Sequence, residues 1–321
     1  MLKIGFGYTR ICNFRCEFCY SKNVRGGWTK QDAVKVIADA VEHHGSVELN
    51  WGTGENVLVP EFVEVLREVH RMGVPQDLTT NGSVVLRKQA LQYLDELDVS
   101  IDYPDPERHN RARGHPKAFE WATQAVKLAS REGIQVTVTM VGMRGNLTYE
   151  TGYAMVELAR SLGADALRLN MYFHTKPDHF VPAPAQISEF LKGLRDAAAA
   201  LCGTSDPAVA KLLGVEPAGY LGSVRLLPEK RVSPSTYLTS DEWAVPIQLP
   251  DFYRNFLQTH VYRRFEEVYK KTFPRQSADR VAVLGYDPYY VDGEVETVRL
   301  KQAPGRSFIH LGYLPTTIFA V

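Results

Sequence analysis

Three of the four cysteines in this chain lie within one eight-residue stretch, Cys12-Asn13-Phe14-Arg15-Cys16-Glu17-Phe18-Cys19. Thiols at C-x3-C-x2-C spacing cannot meet at one point from a helix or a strand. A loop can bring them together, and this loop follows a strand predicted over residues 3–8. A structural zinc ion takes four ligands, whereas a four-iron cluster held by three cysteines keeps one iron open. The stretch therefore predicts a metal site with one free position.

The composition of the chain is that of a globular protein. Its 321 residues are 45% hydrophobic and 23% charged, with zero formal net charge. No broad basic field is available for nucleic acid, no signal sequence opens the chain, and no run approaches the roughly 18 apolar residues of a membrane helix. We expect a soluble cytoplasmic protein that binds neither nucleic acid nor membrane. In a reducing compartment, an odd group of cysteines indicates metal binding rather than disulfides.

Strand and helix patterns alternate through the first half of the chain. Strands are predicted over residues 3–8, 47–51, 77–80, 97–102, 134–141 and 166–172. Helices are predicted over residues 32–44, 60–72, 86–94, 117–131 and 149–162. This alternation predicts an α/β fold with a parallel sheet and outer helices, whose active site lies at the carboxyl ends of the strands. Neither a dinucleotide-binding glycine fingerprint nor a P-loop is present.

The pattern changes after about residue 176. A helix is predicted over residues 187–201, two strands over 223–227 and 231–238, and a further helix over 252–271. We expect residues 177–321 to form a C-terminal α+β cap packed on the first region rather than an independent domain.

The cysteine motif, with Phe18 before its third thiol and Tyr20 after it, resembles that of the radical S-adenosylmethionine (SAM) superfamily. The resemblance covers about residues 3–175 and implies a partial (β/α)6 TIM-like barrel over residues 1–176. It also implies that Cys12, Cys16 and Cys19 hold a [4Fe-4S] cluster and that the SAM amino and carboxylate groups chelate the fourth iron. One electron then cleaves SAM to a 5′-deoxyadenosyl radical, which takes a hydrogen atom from the substrate.

Two turns after the next strands resemble further motifs of this superfamily. Gly52-Thr53-Gly54-Glu55 is similar to its Gly-Gly-Glu-Pro, whose backbone and acidic side chain hold the SAM ammonium group; Thr53 and Asn56 replace the second glycine and the proline. Glycine lets a backbone approach a ligand closely, and a carboxylate suits an ammonium group. Thr79-Thr80-Asn81-Gly82 is similar to its Thr-Asn-Gly, a wall near SAM to which Asn81 contributes. Ordinary turns between strand and helix are the alternative for both.

A third segment, Ser100-Ile101-Asp102 followed by His109, Arg111 and Arg113, resembles one in which a serine binds the SAM ribose and an arginine helps to bind the carboxylate. The resemblance thus implies cofactor contacts for Ser100, Asp102 and Arg113, although a surface ion pair is an alternative for Arg113. Four basic residues are further candidates to meet an anionic substrate: His174, Lys176, His179 and Arg225.

The last third resembles the SPASM/twitch-type extension of relatives that carry auxiliary clusters. Where those relatives place a cysteine after a proline, this chain has Ser235, and no cysteine follows Cys202. A single cluster is therefore expected. Without a second cluster as electron acceptor, a redox-neutral outcome is favoured, such as decarboxylation of a nucleoside uronic acid or an epimerisation. Cys202 is a candidate hydrogen donor to a product radical; a small buried residue at the end of the 187–201 helix is the alternative.

The expected substrate is a polar small molecule, namely a sugar, nucleoside or amino acid derivative of natural-product (antibiotic) biosynthesis, and the expected reaction is of the lyase or isomerase type. The resemblance also implies an external one-electron reductant, flavodoxin or ferredoxin. Because the first strand begins at residue 3, no N-terminal leader-binding domain is expected, which disfavours a ribosomal-peptide maturase. The remaining alternatives are a non-catalytic scaffold with a zinc site completed by His43 or His44, or three unliganded thiols.

Overall fold

The computed structural model describes residues 2–21, 25–172, 179–197, 201–204, 223–234, 241–272, 280–281, 289–290 and 317–320. Four positions singled out in the sequence lie outside these ranges: His174, Lys176, Ser235 and the predicted boundary after residue 176. Within these ranges, no helix combines the length and the apolarity needed to cross a bilayer.

One large sheet organises the molecule. Its strands follow the order β10-β9-β8-β1-β2-β3-β4-β5-β6-β7-β13, and β11 and β12 form a separate pair. From β8 through β1 to β7 all neighbours are parallel. The strands are β1 (Leu2–Gly7), β2 (Val47–Gly52), β3 (Gln76–Thr80), β4 (Glu96–Ser100), β5 (Gln135–Gly142), β6 (Ala166–Met171), β7 (Leu201–Thr204), β8 (Ser223–Leu227), β9 (Arg231–Ser233), β10 (Val245–Pro246), β11 (Arg280–Val281), β12 (Tyr289–Tyr290) and β13 (Thr317–Ala320). The predicted α/β architecture with a mostly parallel sheet is confirmed.

Helices connect the parallel strands. The α-helices of the described ranges are α1 (Lys30–His44), α2 (Phe62–Arg71), α3 (Pro106–Arg113), α4 (Ala118–Arg131), α5 (Tyr149–Leu162), α6 (Pro184–Asp196), α7 (Phe252–Leu257) and α8 (His260–Thr272). A 3-10 helix over Ser83–Tyr93 replaces the helix predicted at 86–94 and is kinked at Arg87. Threonine caps begin two of the helices, because Thr29 accepts from the backbone of Asp32 and Thr148 from that of Thr151.

The two faces of the sheet differ in chemistry. Successive residues of a strand point to opposite faces. The residues on the outer face are apolar and buried under the helices. The ring centroid of Trp51, for example, lies 4.8 Å from that of Phe6 and 5.3 Å from that of Phe62. The inner set is polar. Asn50 bonds to Thr79 at 3.1 Å, and other inward residues are Asp77, Glu96, Asp98, Thr137 and Arg168. The interior of the sheet is thus a hydrogen-bonding surface.

The C-terminal extension continues this sheet. The predicted strand pair is confirmed, since β8 and β9 are antiparallel. In addition, β8 pairs in parallel with β1, which places Arg225 opposite Gly5. Trp28 Nε1 donates to the carbonyl of Leu227 at 3.0 Å, so the β8–β9 turn is bound to the segment that follows the cysteine loop.

Two helix predictions in the extension are wrong in their bounds. Helix α6 ends at Asp196, and Leu201 opens strand β7, which pairs with β6. Cys202 therefore lies on a strand opposite Leu167, not at a helix end. The helix predicted at 252–271 is two helices, because the Thr259 hydroxyl accepts from the backbone of Tyr262 at 3.2 Å and starts α8 anew.

Gly82 lies in the turn after β3, where this turn packs against α4. Its φ is +102°, and a Cβ at this position would lie 2.5 Å from the backbone nitrogen of Ala122 on α4. Gly73 has a similar φ of +71°, but a Cβ there would meet nothing within 4 Å.

We expect Gly73→Ala to lower the free energy of unfolding by about 1 kcal/mol, through backbone strain alone. Gly82→Ala should cost at least about 2 kcal/mol, because backbone must also move.

Urea unfolding of the two variants and the wild type, all without metal, measures the difference. Equal losses for the two glycines would contradict the packing between this turn and α4.

Candidate metal and cofactor site

The three clustered cysteines lie in the loop after β1, at the carboxyl edge of the parallel sheet. This loop borders a cavity of about 410 Å³, within the roughly 300–1,000 Å³ typical of small-molecule sites. The cavity brings together most of the predicted site residues: Cys12, Cys16, Cys19, Thr53, Gly54, Glu55, Asn81, Ser100 and Arg113. Gly52 and Asp102 are not among its lining residues, and Cys202 lies on β7.

Backbone contacts join the cysteine loop to the turn after β2. The amide of Glu55 donates to the carbonyl of Ile11 at 2.7 Å. Beside it, Gly54 has a φ of +68°, and a Cβ there would lie 2.5 Å from the carbonyl oxygen of Thr9 and 2.7 Å from that of Ile11. Only glycine permits this approach. The predicted need for glycine in this turn therefore has a local cause, which is close contact with the metal-binding loop.

Asn13 joins the same loop to the turn after β3, a role that the sequence did not indicate. Its side-chain oxygen accepts from Asn81 Nδ2 at 3.0 Å, and its Nδ2 donates to Ser83 Oγ at 2.9 Å. Asn81 Nδ2 also approaches Cys12 Sγ at 3.7 Å, and the backbone amide of Phe14 approaches the same sulfur at 3.5 Å. The turn after β3 thus orients Cys12 as well as lining the cavity.

Arg113 connects the cysteine loop to α3. Its Nε donates to Asp102 Oδ2 at 2.6 Å, and its carbonyl accepts from the Arg15 backbone amide at 3.1 Å and from Cys16 Sγ at 3.6 Å. Asp102 is fully buried and also accepts from the Val141 backbone amide. Asp102 therefore reaches the cavity only through Arg113, and the alternative of a surface ion pair for Arg113 is wrong.

Glu55 combines burial with cavity contact. Its carboxylate accepts from Thr80 Oγ1 at 2.7 Å and from the Asn81 backbone amide at 2.8 Å. Burial raises the pKa of Glu55 to about 7, although those hydrogen bonds and the charge of Arg113 act in the opposite direction. The carboxyl group should therefore lose its proton and become negatively charged when a cation binds beside it.

The thiols favour the protonated form in the free protein. Desolvation raises the pKa of Cys12 to about 11, even though the residue as a whole is exposed, because its sulfur lies against the cavity wall. Burial also raises the pKa of Cys16, and the nearby guanidinium of Arg113 opposes this effect. Metal binding must therefore displace protons, as expected for thiolate sites.

His43 and His44 cannot complete a zinc site with these cysteines. His44 Nε2 lies 3.0 Å from Asp251 Oδ1, and His43 Nδ1 lies 2.8 Å from the carbonyl of Asp39. Both histidines precede Val47, which pairs with Leu2 at the start of β1, whereas the cysteines follow the end of β1. A strand of this length separates the two edges by roughly 15 Å.

The donor set fits a cluster better than a single ion. In the described ranges, no three His, Cys, Asp or Glu side chains converge on a point that one metal ion can occupy. A four-iron cluster is a larger body, and soft thiolates are its usual ligands. Three thiols around one side of a cavity, with polar groups on the other side, match a cluster that keeps one iron open to a ligand.

A mostly parallel sheet with a three-thiol loop after its first strand is an arrangement that suits an iron–sulfur site at the carboxyl edge of a partial barrel. Comparison with known proteins makes the assignment specific: residues 7–152 match the family model of the radical SAM superfamily. Residues 7–152 therefore form a radical SAM superfamily region.

Curated relatives match about half of the chain. The AdoMet-dependent heme synthase of Oleidesulfovibrio alaskensis is 26% identical over 171 residues, which is 51% of this chain and 43% of the relative. The subtilosin biosynthesis protein AlbA of Bacillus subtilis is 29% identical over 177 residues, 53% of this chain and 39% of the relative. The chain thus covers less than half the length of either protein.

Solved structures extend the likeness beyond the matched family region. SuiB of Streptococcus suis, bound to its precursor peptide SuiA, has a TM-score of 0.67 at 13% identity over 82% of this chain and 66% of SuiB. The peptide- and AdoMet-bound anSMEcpe has a TM-score of 0.68 at 15% identity over 83% of this chain and 82% of that one. Both are SPASM-domain radical SAM enzymes. The likeness shows a shared fold that includes part of the extension.

The buried ion pair between Arg113 and Asp102 leads to a stability prediction. We expect Asp102→Asn to lower the free energy of unfolding by about 3 kcal/mol, because it leaves the Arg113 charge buried without its counter-charge. Glu157→Gln is the matched control, since it neutralises the partner of Arg160 in a surface pair and should cost less than about 1 kcal/mol. Urea unfolding measures both variants, and a similar small loss in each would contradict the buried role of Asp102.

The raised pKa of Glu55 gives a pH prediction. Its ordinary value is 4.5 and its folded value is about 7, so between these pH values the folded state retains a proton that the unfolded state has lost. The free energy of unfolding should therefore fall as pH rises from 4.5 to 7 and level off above. At about 1.4 kcal/mol per pKa unit, the contribution is of the order of 3 kcal/mol.

Glu55→Gln removes the titrating group, so its unfolding free energy should depend less on pH across this window. The metal-free wild type and variant are compared by urea unfolding at several pH values. Parallel curves for the two proteins would contradict the assignment.

Proposed function

We propose that this protein holds a single [4Fe-4S] cluster on Cys12, Cys16 and Cys19, binds SAM in the adjoining cavity and acts on a polar small molecule. The observation that carries the proposal is that the three thiols share one cavity with the residues that resemble SAM contacts. The family match supports the cluster and SAM as cofactors.

Four lining residues are suited to the parts of SAM. The Glu55 carboxylate suits the ammonium group, and Gly54 lets the backbone approach it closely. Arg113 offers a charge to the SAM carboxylate, and the half-buried Ser100 offers a hydroxyl to the ribose. When bound, the cluster and SAM supply one-electron cleavage of the sulfonium and a 5′-deoxyadenosyl radical that takes a hydrogen atom. The residues of the chain bind, orient and shield these groups.

The polar interior of the sheet supports a polar substrate. Beneath the cavity residues Thr79 and Ser100 lie Asp77 and Asp98, two positions earlier on the same faces of β3 and β4. Asp98 pairs with Arg168. Burial and the charge of Glu96 raise the pKa of Asp77. A lumen of this kind would solvate hydroxyl, amino or carboxylate groups and would disfavour an apolar substrate.

A redox-neutral outcome, such as decarboxylation of a nucleoside uronic acid or epimerisation, is the preferred reaction. The given sequence has no cysteine after Cys202 to hold a second cluster in the extension, so we expect no auxiliary cluster to accept an electron from a substrate radical. Cys202 remains the candidate donor of a returning hydrogen atom.

An acidic flavodoxin or ferredoxin is the proposed reductant. The exposed residues of the cysteine loop include Arg10, Ile11, Arg15 and Tyr20, which give the surface beside the thiols both positive charge and apolar area. Opposite charge speeds the encounter of electron carriers with such a surface. These residues therefore favour docking of an acidic electron carrier at the edge of the sheet that bears the thiols.

Peptide modification is the second candidate. Two structural neighbours are described with bound peptides, and a curated relative is named for bacteriocin biosynthesis. Formation of 5′-deoxyadenosine separates the candidates: stimulation by nucleoside uronic acids or amino sugars supports a small-molecule enzyme. Stimulation only by a short precursor peptide would instead establish the maturase.

The cluster assignment is tested by anaerobic reconstitution. We expect the wild type to take up about four iron and four sulfide per chain and to form 5′-deoxyadenosine from SAM on reduction. Replacement of Cys12, Cys16 and Cys19 by Ala together should abolish both. Cys202→Ala is the matched control and should retain wild-type iron and sulfide content. About one zinc without sulfide would support a scaffold, and a reconstituted protein that never cleaves SAM would overturn the proposed function.

A further inference from the structure

Arg225, from the C-terminal extension, reaches the turn that follows β2. It lies on β8, is 2% exposed, and its Nη2 donates to Thr53 Oγ1. A Cβ added at Gly52 would lie 3.3 Å from Arg225 Nη1, so the guanidinium group also packs against the glycine before Thr53. A residue distant in sequence thus contacts two of the residues that resemble the SAM-binding motif.

The first strand leaves room for this contact. β1 lies between β8 and β2, and its inward positions are Lys3, Gly5 and Gly7. Gly5 is opposite Arg225 on one side, and Gly7 is opposite Gly52 on the other. Because Gly5 has no side chain, the long side chain of Arg225 can pass over β1 towards the end of β2. Gly7 packs instead against the hairpin turn, since a Cβ there would lie 2.9 Å from Pro228 Cδ.

Thr53 needs such support. Its φ is +70°, which is an outlier for a β-branched residue. This is one of the two positions, with Asn56, at which the sequence departs from the Gly-Gly-Glu-Pro pattern. A charge-assisted hydrogen bond from a buried guanidinium group to the Thr53 hydroxyl favours the strained conformation. The next two residues, Gly54 and Glu55, line the cavity.

The hairpin that carries Arg225 is itself fixed to the metal-binding half of the site. The backbone amide of Arg25 donates to Glu229 Oε1 at 2.7 Å, and Lys230 Nζ lies 2.6 Å from Asp32 Oδ2. A Cβ at Gly26 would lie 2.8 Å from the carbonyl oxygen of Pro228. The β8–β9 hairpin therefore contacts both the segment after the cysteine loop and the turn after β2.

We propose that Arg225 is a positioning residue for SAM, which acts by holding Thr53 so that Gly54 and Glu55 face the cavity. The inference rests on the proposed function. It assigns the extension a part in cofactor binding that needs no metal or cysteine of its own, and it gives Arg225 a role other than contact with an anionic substrate.

The test measures SAM binding by equilibrium dialysis to anaerobically reconstituted protein, together with amide hydrogen exchange of residues 52–56 without SAM. Arg225→Met keeps the length of the side chain and removes its donors; we expect the SAM dissociation constant to rise about tenfold, the effect of losing one charge-assisted hydrogen bond. Iron and sulfide contents should stay at wild-type levels, and exchange in the turn should become faster. Arg254→Met is the control, since it makes the same replacement at an exposed arginine of α7 that pairs with Asp251, and it should change neither SAM binding nor exchange.

Two substitutions at Thr53 make the result specific. Thr53→Val removes only the hydroxyl and should weaken SAM binding by at least about threefold. Glycine adopts this φ without strain, so Thr53→Gly combined with Arg225→Met should recover part of the lost affinity, which a general loss of stability would not do.

An unchanged SAM dissociation constant in Arg225→Met would overturn the inference. If that variant does not fold, the SAM dissociation constant of Thr53→Val gives the same test with Arg225 intact, and an unchanged value there would also overturn the inference. If the wild-type protein binds no SAM, the proposed function itself is wrong. If the wild type binds and cleaves SAM and the variants bind it equally well, only the role of Arg225 is wrong.

Discussion

The close approach of Gly54 to the carbonyl groups of Thr9 and Ile11 is the constraint on which the site depends. It brings two backbone segments from different strands nearer than any side chain would allow, and the adjacent hydrogen bond from the Glu55 amide to Ile11 fixes their register. The thiol loop and the carboxylate turn are therefore one rigid unit. The spacing between the thiol loop and the carboxylate turn is set by main-chain geometry, which varies less than side-chain conformation.

Around this unit, polar contacts add to apolar packing. Phe14 and Phe18 of the loop are buried, and the Phe14 ring centroid lies 4.5 Å from that of His115. Asn13, Asn81 and Ser83 form one hydrogen-bonded group on one side of the loop, and Arg113 with Asp102 forms another on the opposite side. Such networks are costly when half satisfied and rigid when complete. The loop is thus held in a single arrangement without burying its apolar Ile11, which stays exposed beside the thiols.

Much of this architecture follows from local patterns. The alternation of strand and helix patterns located six of the parallel strands, β1 to β6, and α5 begins and ends where it was predicted. Helix α3 escaped prediction because its buried residues are His109 and Arg113, so its inner face carries no apolar stripe. The stretch near residue 197 has high helical propensity, yet pairing with β6 makes residues 201–204 a strand.

The site, like the fold, combines short sequence motifs that could be predicted with contacts between distant residues that could not. The cysteine, glycine and asparagine motifs were visible because each is short and ends a strand. The contacts of Asn13 and Arg225 depend on partners 68 and 172 residues away. No local pattern encodes such pairings, although the glycine at Gly5, opposite Arg225, is a trace of this contact that the sequence does carry.

The pairing of β8 with β1 has a consequence for the order in which the protein becomes complete. As the chain leaves the ribosome, β1 and its cysteine loop emerge well before residues 223–227, so one edge of β1 stays unpaired until β8 has been made. Long-range strand pairing is slow to form, and an unpaired edge invites association with other chains. The strand that leads into the cysteine loop is therefore enclosed late, and the sheet around this loop is complete only once β8 has been made.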